Sequence, residues 1–397
     1  PQAQRRHPMS TVTAFQLADI LFTGAGALGK TPDLLKNAGL HKPLIVTDQG
    51  IVKAGLPKQL EAVLSTAGFS YAIYDKTVAN PTDNNVEEAF ALYSKESCDC
   101  LIGLGGGSSM DTAKGCGILA TNGGSIDAYR GLGLLKAPLP YFIAVPTTAG
   151  TGSESTCAAV ITNTRSDHPW KMAILDGRLL PKAAIIDPLL MTGLPPHITA
   201  ATGMDAMTHA VEAYISLGAM EYTDSLALGA IRLVFTYLRR AVANGNDLVA
   251  REKMAYAQTM AGIAFSNAGL GLVHSMAHPL SAFYGISHGD ANALVLPYGL
   301  DFNKISCREK MADIAVAAGI KDLGLYPEDT AVAAIKRLNA DVRIPTTITE
   351  AGARIGVTID RKDIAPMSRD ALNEVTTPTN PRGATLKDIE ALYNQCW

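Results

Sequence analysis

The chain has 397 residues, 47% of them apolar and 18% charged, with a formal net charge of −3. That length fits two domains, and the composition is ordinary for a globular protein. No basic excess marks a nucleic-acid or anionic-membrane partner, and no apolar run reaches bilayer length.

Residues 1–8, PQAQRRHP, are basic with no apolar core after them, and are read as a tag or tail ahead of Met9. The first half then alternates strand-like and helical patterns. PLIVTD (43–48) is a buried strand, followed by a helix near 57–67, the strand SYAIYD (70–75) and a helix near 83–95. CLIGLGGG (100–107), YFIAVPTT (141–148) and AAIIDP (183–188) are further apolar runs that end in turns. Strands alternating with helices predict a parallel sheet covered on both faces, with ligands at the carboxyl ends of the strands. After about residue 190 helical spacing takes over, at 199–216, 223–241, 248–267, 327–339 and 386–395. The prediction is an α/β domain over 1–190 and an all-α domain over 191–397, with LPPHIT (194–199) as the hinge. Cys98, Cys100, Cys116, Cys157, Cys307 and Cys396 include no C-x-x-C pair and predict reduced thiols in a cytoplasmic protein.

Two stretches carry the first half's chemistry. In LIGLGGGSSMDTAKG (101–115) a strand runs through Gly105, Gly106 and Gly107 into a helix beginning near Ser108 or Ser109. Glycines admit a ligand close to the backbone, and the helix N-terminus offers free N–H groups to a phosphate. The strict G-x-G-x-x-G spacing fails at Ser108, so a plain strand-to-helix turn is the competing reading. Asp48 ends a strand where a carboxylate can accept from both hydroxyls of an adenosine ribose and repel a ribose phosphate, which predicts NAD over NADP. A strand-end turn aspartate is the alternative there. PTTAGTGSE (146–154) adds Thr147, Thr148, Thr151 and Ser153 at another strand end.

The second half concentrates histidine. Asp205 and His209 are four apart in GMDAMTHAVEAYI (203–215), on one helix face. His274 and His278 repeat that spacing in GLVHSMAHPLSAFYGISHGDAN (271–292), and His288 follows a break at Gly285. So many imidazoles in an apolar helical domain need partners. A mixed imidazole and carboxylate set suits zinc or ferrous iron. Spacing leaves open which of the three histidines lies outside the set.

GGGSSMDTAK, PTTAGTGSE, GMDAMTHAVEAY, the histidine stretch and TNPR (379–382) together resemble the iron-containing, group III alcohol dehydrogenases, from about residue 14 onward. The resemblance implies a two-domain, dehydroquinate synthase-like fold with the active site in the cleft. It implies NAD, held by Asp48, Gly105, Gly106, Gly107 and Ser108, with Asp111, Thr147, Thr148 and Lys171 lining the cofactor cleft. It implies Fe2+, with Zn2+ as the alternative, on Asp205, His209, His274 and His288. His278 then faces substrate and nicotinamide as a proton carrier. The implied substrate is a small primary alcohol or diol and its aldehyde, and the implied assembly is a homodimer or larger. Asp290 stands where many members carry an apolar residue. It is either a solvated helix charge or a group that modulates His288. Two other activities share this sequence plan: a transhydrogenase that retains its cofactor, and a dehydroquinate synthase-like lyase, which needs more cleft cations than the histidine motifs supply.

Overall fold

The computed structural model describes residues 13–165 and 170–397, and the tail assigned to residues 1–8 lies outside them. Among the described residues nine strands form two sheets: β1 (Ile20–Thr23), β2 (Pro43–Asp48), β3 (Ala72–Thr77), β4 (Cys100–Gly105), β5 (Gly131–Leu132), β6 (Tyr141–Pro146), β7 (Ala158–Asn163), β8 (Trp170–Leu175) and β9 (Ala183–Ile186). The larger sheet is parallel, in the order β1-β9-β6-β4-β2-β3. The smaller is β5-β8-β7, with β7 and β8 antiparallel.

Both faces of the large sheet are buried, which is why its strands read as unbroken apolar runs. Leu44 and Val46 of β2, Leu101 of β4, and Phe142 and Ala144 of β6 share one core. The alternate residues Ile45, Ile102, Leu104, Ile143 and Val145 share another on the opposite face. Five helices accompany the strands: α1 (Thr31–Asn37), α2 (Gln49–Lys53), α3 (Leu56–Thr66), α4 (Asp83–Lys95) and α5 (Gly107–Asn122).

After Ile186 no strand follows among the described residues. The long helices are α6 (Pro196–Ile215), α7 (Glu221–Ala243), α8 (Leu248–Ala268), α9 (Leu272–Tyr284) and α10 (His288–Asn303). The remainder are α11 (Arg308–Ala317), α12 (Pro327–Asp341), α13 (Ile348–Arg354), α14 (Ile364–Leu372) and α15 (Leu386–Gln395). They enclose one large apolar core. No helix among the described residues is long and apolar enough to cross a membrane.

Four observed strands are missing from the sequence reading. β1 has only four residues, with both ends exposed. β5 has two residues. β7 and β8 alternate buried with half-buried positions, so neither presents a continuous apolar run. The strand placed at 70–75 begins two residues later, at Ala72. In the proposed hinge Pro196 is the first residue of α6, the position where a missing N–H costs nothing.

The sheet and the helices are joined by the loop after β6. Gly150 N donates to Gln258 Oε1 at 2.7 Å, Thr259 Oγ1 donates to Glu154 Oε1 at 2.8 Å, and Cys157 N donates to Ser266 Oγ at 3.0 Å. A Cβ on Gly152 would sit 2.7 Å from the Gly262 Cα, so two glycines permit this approach.

Candidate active site

From β2 the chain moves outward to β3, and from β4, on the other side of β2, it moves the opposite way to β6. The carboxyl ends of β2 and β4 therefore flank a switch point, the usual place for a nucleotide in such a sheet. Asp48 ends β2. Its Oδ1 accepts from Gly50 N (2.8 Å) and Ile51 N (3.0 Å), capping α2, and its Oδ2 accepts from Ser109 Oγ at 3.2 Å. Gly105, Gly106 and Gly107 cross from β4 into α5. A Cβ on Gly105 would meet Ser109 Oγ at 2.4 Å, and one on Gly107 would meet Thr151 at 3.0 Å. The turn thus lies flat under the threonine loop, with the first N–H groups of α5 at its edge.

The hydroxyls of Thr147 and Thr148 are buried with no hydrogen-bond partner. Unpaired hydroxyls beside a free helix N-terminus are what a diphosphate would satisfy, so the residues present fit a dinucleotide. A cleft of about 610 Å³ runs from Gly107, Ser108 and Asp111 past Lys171 to the histidines. Asp111 is in its wall with both oxygens engaged: Oδ1 accepts from Ser153 Oγ (2.9 Å) and Oδ2 from Val160 N (3.0 Å). Lys114, which the sequence reading leaves unassigned, is fully buried. Its Nζ donates to Ser153 O, Thr156 O and Ala158 O at 2.7–3.1 Å. The D-x-x-K half of the glycine motif therefore fastens the loop that forms the opposite wall. Burial pushes the Lys171 ammonium, on β8, down to about 8, against the pull of Glu374, Asp205 and Asp111.

At the other end of the cleft, α6 supplies Asp205 and His209, α9 supplies His274 and α10 supplies His288. One ligand atom from each lies within 4.8 Å of the rest. His288 Nε2 is 3.6 Å and His209 Nε2 4.0 Å from Asp205 Oδ1. Burial, with neighbouring positive groups, pushes His274 and His288 well below the usual imidazole value. Both rings are neutral at pH 7, with lone pairs to offer. Three imidazoles and one carboxylate converging on a point fit ferrous iron or zinc.

Two residues missed in the sequence complete this end. Glu212, on α6, accepts from His274 Nδ1 at 2.5 Å, so His274 carries its proton there and turns a bare Nε2 to the cluster. Asn292, on α10, places Nδ2 2.8 Å from Asp205 Oδ1, 3.0 Å from His274 Nε2 and 3.1 Å from His288 Nε2. An i, i+4 pairing with His288 was its only sequence signal.

His278 is outside the four-donor group but against it. Its ring stacks on His288 (centroids 5.4 Å apart, 25° between planes) and meets His274 edge-on at 6.1 Å. Asp290 accepts from Ser287 Oγ at 2.6 Å, and Ser287 Oγ accepts from Asp290 N at 3.2 Å, so the extra charge belongs to the cap of α10. TNPR also acquires a place. Asn380 Oδ1 accepts from Leu272 N (3.1 Å) at the start of α9, Thr379 Oγ1 donates to Leu270 O (2.6 Å), and the Arg382 guanidinium covers Phe302.

Residues 18–188 match the family described as Iron-containing alcohol dehydrogenase, and residues 199–397 match Fe-containing alcohol dehydrogenase family, C-terminal. The chain is similar to the NAD-dependent methanol dehydrogenase of Bacillus methanolicus, 41% identical over 381 residues, 95% of this chain and 98% of that one. It is also similar to the lactaldehyde reductase of Escherichia coli (strain K12), 42% identical over 386 residues, 96% of this chain and 98% of that one. A crystal structure of a 1,3-propanediol oxidoreductase superposes with a TM-score of 0.93 at 41% identity, covering 98% of this chain and 100% of that one.

Proposed function

Because this chain belongs to the iron-containing alcohol dehydrogenase family, we propose a role for each residue of the cleft in its NAD-linked chemistry. The enzyme is an oxidoreductase that interconverts a small alcohol or diol and its aldehyde. In balanced form a primary alcohol and NAD⁺ give an aldehyde, NADH and one proton. The observation that carries the residue-level reading is the convergence of Asp205, His209, His274 and His288 at the end of a cleft that begins at the glycine turn.

In this reading those four residues hold a divalent ion, iron with zinc as the alternative, which supplies Lewis acidity to the reacting oxygen. NAD supplies the hydride acceptor. The N-terminus of α5, with Gly105, Gly106, Gly107 and Ser108, binds the pyrophosphate, and Asp48 binds the adenosine ribose. Thr147 and Thr148 satisfy their hydroxyls on the cofactor, Asp111 holds the loop around it, and Lys171 lines the cleft. Glu212 keeps His274 in the tautomer that exposes Nε2. His278 carries away the proton released from the alcohol. Phe265, Leu270 and Val375 line the same cleft, which favours an uncharged aliphatic substrate. We place the enzyme in the cytoplasm, supported by six free cysteines. We read it as a homodimer or larger, supported by the edge strand β1, with Ile20 at its start and Leu17 just ahead of it both exposed.

NADH formation by ultraviolet absorbance tests the reading. Chelator-stripped protein reloaded with iron or zinc is expected to oxidise short alcohols and diols only when reloaded. Turnover that is equal with and without metal would overturn it.

A further inference from the structure

Glu374 has no part in the sequence reading, yet it is the partner of His278. It follows α14, in the short link before Thr377. Its Oε2 is 3.3 Å from His278 Nδ1, and both side chains are largely shielded, 22% and 15% exposed. A carboxylate can only accept, so at this distance it favours a hydrogen on Nδ1, the ring nitrogen it faces. The lone pair then stays on Nε2, on the side of the ring away from Glu374, and His278 lines the cleft.

The link is fastened to the helix it serves. Thr377 Oγ1 donates to Ser275 Oγ at 2.8 Å, and the Thr376 hydroxyl lies 2.7 Å from the same atom. Ser275 is the neighbour of His274 on α9 and stands one turn before His278. Glu374 is therefore held in register with the histidine helix by two bonds from its own link to one hydroxyl of that helix. Burial works against its charge. The His278 ring beside it, with the charge of Lys171, nevertheless keeps Glu374 below the usual carboxylate range. It is an acceptor at neutral pH.

We propose that Glu374 is a positioning residue for His278, holding the imidazole with Nδ1–H toward the link and bare Nε2 toward the cleft. The proposal rests on the reading of His278 as proton carrier. Outer carboxylates that fix a histidine tautomer commonly affect activity 10–100-fold on removal, and roughly that loss is expected here.

The test uses full-length, metal-loaded enzyme in NAD-linked alcohol oxidation. Glu374→Leu should lower kcat about ten-fold or more, with the KM for NAD and the bound metal unchanged. Glu374→Gln retains an acceptor of the same shape and should recover part of that loss. A double variant with His278→Ala should be no slower than His278→Ala alone, because the two act as one unit. Nitrogen-15 spectra of wild-type His278 should show the Nδ1–H tautomer, and the leucine variant should shift toward Nε2–H. Independent, multiplying losses in the double variant, or an Nε2–H tautomer in the wild type, would overturn the proposal. Full turnover in His278→Ala would instead remove the proton-carrier reading, and the nitrogen spectra would then decide the pairing alone. If the leucine variant fails to fold, the glutamine variant and the wild-type spectra still decide it.

Discussion

Glu154 is fully buried, and its Oε2 has no hydrogen-bond partner. Burial raises its carboxyl from 4.5 to about 7, against the opposing Thr259 hydrogen bond and the charge of Lys114. The folded state therefore keeps a proton that the unfolded state gives up between those two values. Stability contributed by this group is present below the unfolded value and is lost as pH rises toward 7. Glu154→Gln should accordingly leave unfolding in urea nearly unchanged at pH 4 and stabilise the protein at pH 8, by roughly 3 kcal/mol for a shift of this size. An equal effect at both pH values would mean that the carboxyl is not strained by burial. Glu154 lies in the loop that joins sheet to helices, so this cost is located at the joint.

At the scale of elements, the first turn of α9 is tied by side chains from elsewhere. Glu212 of α6 accepts from Val273 N (2.7 Å) and His274 N (3.3 Å), and Asn380 accepts from Leu272 N (3.1 Å). A Cβ on Gly271 would sit within 2.9 Å of oxygens from both Glu212 and Asn380, so only glycine lets them close on the helix start. The orphan N–H groups of the first turn are thereby satisfied, and the same carboxylate that caps the helix orients its histidine. Glu212→Gln preserves the shape and replaces one of its two acceptor oxygens with a donor. In chelator competition it should bind divalent metal 10–100-fold more weakly, about the usual effect of losing such a partner. Unchanged affinity would show that Glu212 only packs. This coupling also marks where the sequence stops being readable. The Asp205–His209 and His274–His278 pairs are visible because four-residue spacing on a helix fixes their proximity. Glu212 and His274 are 62 positions apart, and Glu374 and His278 lie on separate elements, so no local period connects them.

Over the whole molecule, the parallel order of the sheet follows from buried runs at β2, β4, β6 and β9, each legible as a continuous apolar stretch. The small sheet is not legible in that way. It buries alternate residues only, and it matters because β8 carries Lys171 and β7 carries the Val160 amide that fixes Asp111. The two halves meet through glycine contacts and side-chain bonds between the loop after β6 and α8, which bring the glycine turn and the histidines to opposite ends of one cleft. The proposed chemistry depends on an ion at the far end of that cleft. The most direct measurement is the metal content of the protein by mass spectrometry after dialysis, for the wild type and for Asp205→Ala. About one iron or zinc per chain is expected in the wild type and next to none in the variant. Equal metal in both, or none in a folded and active wild type, would contradict that chemistry.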